Sequence, residues 1–151
     1  MSHVPPHPAS GRGKVGRVAR ALGFAGLLPE IGAVWLTLEG VPLGRPLAFG
    51  YAALILSFLG GMWWGFAMRR RPGQAQLAAV AVMPSLAALA IAVVLGIASS
   101  LALVLLGVAI LLTLIVDHHL FRTEEVPVGW MALRVPLSVG LGALTILAGI
   151  A

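Results

Sequence analysis

The chain has 151 residues, of which 60% are hydrophobic and only 10% are charged. Soluble domains contain roughly 25% charged residues, so this composition excludes a globular protein that covers its surface with polar groups. The net charge of +5 does not indicate nucleic-acid binding, because no basic helix is interleaved with aromatic residues. The absence of cysteine excludes disulfides and thiolate chemistry.

The N-terminal residues 1–20 are rich in Pro, Gly, His and Arg and have little apolar surface to bury. We expect this tail to be disordered. Residues 11–16, GRGKVG, match a dinucleotide-binding pattern, but the strand that should precede such a motif is missing. The sequence therefore predicts a basic tail followed by a single domain over residues 21–151.

Five apolar segments follow the tail, and several are long enough to cross a hydrocarbon core, which takes about 20 residues as a helix. They cover residues 21–38, 47–68, 76–97, 101–116 and 130–151. Segments with prolines, glycines or polar residues separate them. The predicted fold class is an all-α integral membrane protein with five transmembrane helices in a compact bundle.

The basic residues indicate how these helices are oriented. With the N-terminus inside, all ten lysines and arginines except Arg45 lie on the inner side. This distribution follows the positive-inside rule and predicts that the C-terminus is outside. The second helix ends on this side with Arg69, Arg70 and Arg71, which we expect to contact anionic lipid headgroups.

Small residues at four-residue spacing predict how the helices pack. Lipid tails are as apolar as leucine, so helices in a bilayer associate through close approach of their backbones. The stripes in the second, third and fifth segments are Ala53, Ser57, Gly61 and Gly65; Ala88, Ala92, Gly96 and Ser100; and Ser138, Gly142, Thr145 and Gly149. A biased composition is the alternative explanation for any one stripe.

Glu30 is the most unusual residue of the first segment, where it shares a face with Gly23, Gly26, Ala33 and Thr37. It lies ten residues beyond Arg20, about 15 Å into the membrane at 1.5 Å per residue. An acid at this depth usually faces a bundle interior, where the low dielectric disfavours its charged form. We expect Ser57 to be its partner. The sequence leaves two roles open for Glu30: proton or cation handling, or a neutral acid that only forms a hydrogen bond with a neighbour.

Asp117 and Arg134 lie near the inner ends of the fourth and fifth helices at comparable depths. We expect them to pair, since either charge alone would be left partly buried. The pair could be a structural clasp or part of a functional pocket. Asp117, His118 and His119 are adjacent on a helix and diverge by about 100° each, so no metal site is predicted there.

Trp63 and Trp64 lie about one turn from the inner boundary, where indoles favour the interface. Adjacent helical residues diverge, so at least one of these two side chains must point into the bundle. We place Trp64 in the candidate polar core, together with Glu30, Ser57, Asp117 and Arg134. Trp130 begins the fifth helix on the same side. The three tryptophans therefore predict an aromatic belt at the inner boundary.

Three stretches resemble a domain-of-unknown-function family of small bacterial membrane proteins that includes the mitochondrial transmembrane protein 69. They are LGFAGLLPEIGA (residues 22–33), YAALILSFLGGMWWGFAM (residues 51–68) and WMALRVPLS (residues 130–138). Trp64, Asp117 and Arg134 match the family pattern, whereas the family has a histidine at Trp63 and an apolar residue at Glu30. The resemblance implies a bacterial inner-membrane protein, or alternatively a mitochondrial inner-membrane protein, and no established activity.

Two functions are compatible with these features. The short loops and small-residue stripes favour an accessory or assembly subunit that packs against a larger membrane complex or against itself. Glu30, Ser57 and Asp117 favour a small transporter or a proton or ion pathway. No H-E-x-x-H, G-x-S-x-G or paired-carboxylate arrangement occurs, so an enzyme is not expected and no cofactor is predicted.

Overall fold

The computed structural model describes residues 15–151, and six α-helices make up most of this part of the chain. They are α1 (Arg17–Ala25), α2 (Leu28–Leu38), α3 (Gly44–Ala67), α4 (Gln74–Leu95), α5 (Ser100–Arg122) and α6 (Trp130–Ile150). Within the described residues, α1 and α2 together and each of the other four helices are long and apolar enough to cross a membrane. The predicted all-α fold with five helices able to span a membrane is therefore confirmed, and these helices indicate a multi-pass membrane protein, whereas the orientation stays a prediction.

The first span is broken into two helices at Gly26 and Leu27. Pro29 lacks an N–H group and therefore cannot donate a hydrogen bond to the carbonyl of Ala25, four residues earlier. The hydrogen-bond ladder of α1 ends there, one turn before Pro29. The carbonyl of Gly26, the residue after Ala25, accepts a hydrogen bond from the Tyr51 hydroxyl of α3. Helix α1 also begins at Arg17, so residues 17–20 are helical and not part of a disordered tail. Residues 1–14 lie outside the described residues, as does most of the GRGKVG string.

Helices α5 and α6 form the most extensive pair in the bundle. Gly107 and Gly142 face each other there, and a Cβ on Gly107 would lie only 2.7 Å from the Gly142 carbonyl oxygen. Further along α6, a Cβ on Gly149 would lie 2.8 Å from the Ser100 carbonyl oxygen. Larger side chains would force these two backbones apart, so the glycines permit the close approach on which this helix pair depends.

Helix α3 packs against α4 through Gly60, where a Cβ would collide with the Ala81 backbone carbonyl. Leu56, Leu59 and Trp63 are buried on the same side of α3. The predicted stripe lies on a neighbouring face, where Gly61 and Gly65 are exposed. Among residues 15–151, nothing outside α3 is close enough to contact a Cβ at either glycine. Of the adjacent glycines Gly60 and Gly61, Gly60 is therefore the one that packs against another helix within residues 15–151.

Candidate functional site

A buried polar cluster joins α3, α5 and α6. The Trp63 indole Nε1–H donates to Asp117 Oδ1 at 3.0 Å, and Arg134 Nε–H donates to Asp117 Oδ2 at 2.8 Å. Arg134 Nη2 lies 2.7 Å from the same Oδ2. Asp117 is fully buried and Arg134 is only 6% exposed. Both carboxylate oxygens of Asp117 therefore have donors, and the expected pairing with Arg134 is present.

The energetic importance of this cluster comes from its burial. Two charges withdrawn from water attract each other strongly, but each loses its hydration. Removing one partner of such a pair typically costs about 3–5 kcal/mol, because the remaining charge stays buried without compensation. The cluster therefore fixes the relative positions of three spans near the end of α3 that precedes Arg69, Arg70 and Arg71, here called the arginine-rich end.

The tryptophan in the cluster is Trp63, and Trp64 does not join it. Trp63 follows Leu56, Leu59 and Gly60 on the buried face of α3, so its indole reaches α5. Trp64 is 47% exposed. Sequence reasoning identified the need for one inward tryptophan but placed Trp64 in the candidate core. The seven-residue spacing of Leu56 and Trp63 is the signal that could have identified the inward residue.

Glu30 of α2 is fully buried and contacts α6. Its Oε1 lies 2.8 Å from the Thr145 hydroxyl oxygen. Ser57, the expected partner, is half-buried on α3 and makes no hydrogen bond to Glu30 among residues 15–151. The sequence placed Glu30 on an inward face but could not show that α6 is the helix it meets there.

The hydrogen bonds of Thr145 indicate how Glu30 is protonated. The Thr145 hydroxyl oxygen lies 2.8 Å from Glu30 Oε1 and 2.9 Å from the Leu141 carbonyl oxygen, but a hydroxyl has only one proton to donate. A protonated Glu30 satisfies both contacts, since it donates to Thr145 while Thr145 donates to Leu141. An ionised Glu30 leaves two acceptors competing for one proton. Glu30 Oε2 has no partner within the described residues.

A second ion pair lies at the arginine-rich end, outside the spans. Arg70 donates through Nε to Glu125 Oε2 at 2.6 Å and through Nη2 to Oε1, and Thr123 donates to Oε1 as well. The hydrogen bonds from Arg70 hold the pKa of Glu125 below its usual value of 4.5 and raise the pKa of Arg70 itself. This pair ties the end of α3 to the segment between α5 and α6.

The other two arginines of the run, Arg69 and Arg71, are exposed, and their contact with anionic headgroups stays a prediction. His118 and His119 are also exposed, whereas Asp117 points into the bundle. The three adjacent residues therefore diverge as expected. Phe66 and Trp130 stack edge to face, with ring centroids 5.9 Å apart, and connect α3 to the start of α6.

Comparison with known proteins gives the chain a family. A family model described as a protein of unknown function, DUF3429, matches residues 15–150. The chain belongs to this family. The predicted membership of a domain-of-unknown-function family is thereby confirmed, while the link of DUF3429 to mitochondrial transmembrane protein 69 stays a prediction. No curated protein and no solved structure matches the chain.

Proposed function

We propose that this protein is an interaction subunit of a larger membrane complex, and that it docks through the exposed small-residue face of α3. The observation that supports this role is the exposed part of the stripe Ala53, Ser57, Gly61 and Gly65. Ala53 is partly buried against the core and Ser57 is half-buried, so the part open to a partner is the end that carries the two glycines. Gly61 and Gly65 are exposed, and no residue among 15–151 covers them. Small residues at this spacing let a second helix approach closely in a bilayer.

The surroundings of this face support the same role. Phe58 and Trp64 are both exposed beside the two glycines and offer large apolar groups to a partner helix. Inside the protein, Gly60 is already used for contact with α4. Helix α3 thus has two adjacent faces suited to close packing, and residues 15–151 cover the glycines of only one of them. The proposed membrane is the bacterial inner membrane, with the mitochondrial inner membrane as the alternative.

The test is to enlarge the exposed glycines and follow what copurifies. The variant Gly61→Leu with Gly65→Leu is extracted in a mild detergent and its partners are identified by mass spectrometry. Gly32→Leu on α2 is the matched control, because a Cβ at Gly32 also meets open space. The proposal predicts that the double variant loses its partners while the control keeps them. Copurification that is unchanged in the double variant contradicts the proposal.

A proton or ion pathway is the second candidate. The observation that favours it is Oε2 of the buried Glu30, which has no hydrogen-bond partner within the part of the chain that the structure describes. An acid inside a membrane bundle is a common feature of such pathways. Glu30→Gln keeps the shape of the side chain but removes its titration. A pathway through Glu30 would lose pH-dependent flux in proteoliposomes on this change, whereas an interaction subunit would keep its partners.

A further inference from the structure

A cavity of about 440 Å³ lies between α1, α3 and α6, next to Arg134 of the polar cluster. We call it the side cavity. Leu59, Leu137 and Leu141 form part of its mainly apolar wall. Leu22 and Phe58 also line it and are largely exposed, so the side cavity opens sideways toward the surrounding hydrocarbon. An occupant can therefore enter from the bilayer without crossing water.

Polar groups without partners line this otherwise apolar cavity. Ser138 is only 2% exposed, and its hydroxyl has no hydrogen-bond partner among residues 15–151. The buried indole Nε1 of Trp130 likewise has no hydrogen-bond partner among residues 15–151. Arg134 has five N–H donors, and its observed contacts with Asp117 involve only Nε and Nη2. A buried donor left unpaired loses its hydration without compensation, so the side cavity is suited to an occupant that supplies an acceptor.

The charges around the side cavity restrict that acceptor to a neutral one. Arg134 is already compensated by Asp117, so an anionic headgroup would add an uncompensated charge to a buried site. A carbonyl oxygen accepts hydrogen bonds without bringing charge. We propose that the side cavity binds a neutral lipid whose carbonyl oxygen accepts from Ser138 and Arg134, while its apolar chain lies along the leucine wall. Fatty-acyl esters and isoprenoid quinones share this chemistry.

The binding test uses the full chain, delipidated in detergent and observed by native mass spectrometry. Methyl oleate and oleate have the same apolar chain but differ in headgroup charge, and decylubiquinone offers a quinone carbonyl. The proposal predicts one saturable adduct with a neutral probe and weaker binding of oleate than of methyl oleate. Preference for methyl oleate or for decylubiquinone identifies the ester or the quinone as the natural source.

Two variants locate the adduct in the side cavity. Ser138→Ala removes one donor and is expected to weaken neutral-probe binding about threefold to tenfold, the loss typical of one hydrogen bond. Ser57→Ala, outside the side cavity, is its control. Leu137→Trp fills the side cavity and should abolish the adduct, whereas Leu147→Trp, exposed on the same helix, should keep it.

Three results would overturn the proposal. They are the absence of a saturable adduct with both neutral probes, tighter binding of oleate than of methyl oleate, and equal binding by Ser138→Ala and the unaltered chain. The Ser138→Ala comparison tests the proposal even if Leu137→Trp fails to fold. The Ser138 hydroxyl makes no hydrogen bond within the described residues, so its removal takes no such bond from the fold.

Discussion

Gly60 and Trp63 lie on one face of α3, and Gly61 and Trp64 lie on the next face around the same helix. The first pair is buried, with Gly60 against the Ala81 carbonyl and Trp63 bonded to Asp117. The second pair is exposed, and a Cβ added to Gly61 would meet no atom of another helix within 4 Å among residues 15–151. The adjacent glycines and the adjacent tryptophans of α3 therefore each contribute one residue to the buried face and one to the exposed face. The buried face holds the chain's own bundle together, and we propose that the exposed face receives a partner.

The two faces should respond differently to mutation. Changes on the buried face should unfold the protein, because they disturb backbone contact or a buried charge. Changes on the exposed face should leave the isolated protein stable and alter only its association.

The largest effect is expected for Asp117→Asn, which leaves the buried Arg134 guanidinium without a counter-charge. We expect the free energy of unfolding to fall by about 3–5 kcal/mol, measured by SDS titration in mixed micelles. The double variant Asp117→Leu with Arg134→Leu removes both charges and should recover much of this loss. A double variant as unstable as Asp117→Asn would show that the charge itself is not the cause.

Gly60→Leu should be the next most damaging change, since its Cβ meets the Ala81 backbone, which cannot move aside as a side chain can. Overpacking ordinarily costs about 1–3 kcal/mol, and a Cβ that collides with a backbone carbonyl oxygen is a severe case, so we expect a loss of at least about 3 kcal/mol. Gly61→Leu is the control one residue away, and its effect on the purified protein should stay within about 0.5 kcal/mol, as is usual for surface changes. Equal losses in both variants would contradict the assignment of faces.

Trp63→Phe and Trp64→Phe give a milder version of the same comparison. Trp63→Phe removes the N–H group that donates to the Asp117 carboxylate, and a hydrogen bond to a charged group contributes about 1.5–3 kcal/mol. Trp64→Phe removes no hydrogen bond of the described structure and should change stability little. Thermal unfolding of both purified variants in one detergent measures the difference.

The smallest effect is expected at the Arg70–Glu125 pair, which fixes the end of α3. Because the folded-state pKa of Glu125 is lowered, this pair stabilises the fold above the usual pKa of 4.5. The contribution is lost as the pH falls through the lowered folded-state value. For a partly exposed pair we expect about 1 kcal/mol or less. Glu125→Gln should remove this part of the acid sensitivity of thermal unfolding, whereas an unchanged pH profile would argue against the pair.

The spans were predictable from the sequence, but the packing face of α3 was not. Hydropathy identifies helices because a span must be apolar all round, and for the same reason it does not distinguish the lipid-facing side from the packed side. Gly60 and Gly61 are equally small, so residue size does not show which of them packs. The four-residue spacing of Ala53, Ser57, Gly61 and Gly65 therefore favoured the face that carries Gly61. The partner of Glu30 was unpredictable for a related reason, since Ser57 and Thr145 lie at similar depths and only the helix order in space selects between them.

The pairing of Asp117 with Arg134 was predictable because two buried charges of opposite sign at one depth have few alternatives. The addition of Trp63 to this pair required the rotation of α3, which follows from the close contact at Gly60. The break between α1 and α2 could have been inferred from Pro29, since proline removes one backbone donor. Local backbone chemistry was thus accessible from the sequence, whereas rotations between helices were not.

The most direct test of the proposed docking face is photo-crosslinking in native membranes from two exposed tryptophans. Trp64 beside the α3 stripe and Trp35 on α2 are each replaced in turn by p-benzoylphenylalanine. If the exposed face of α3 is covered by a partner, position 64 should give a discrete protein adduct and position 35 should not. Lipid adducts alone at position 64, or the same protein adduct from both positions, would contradict it.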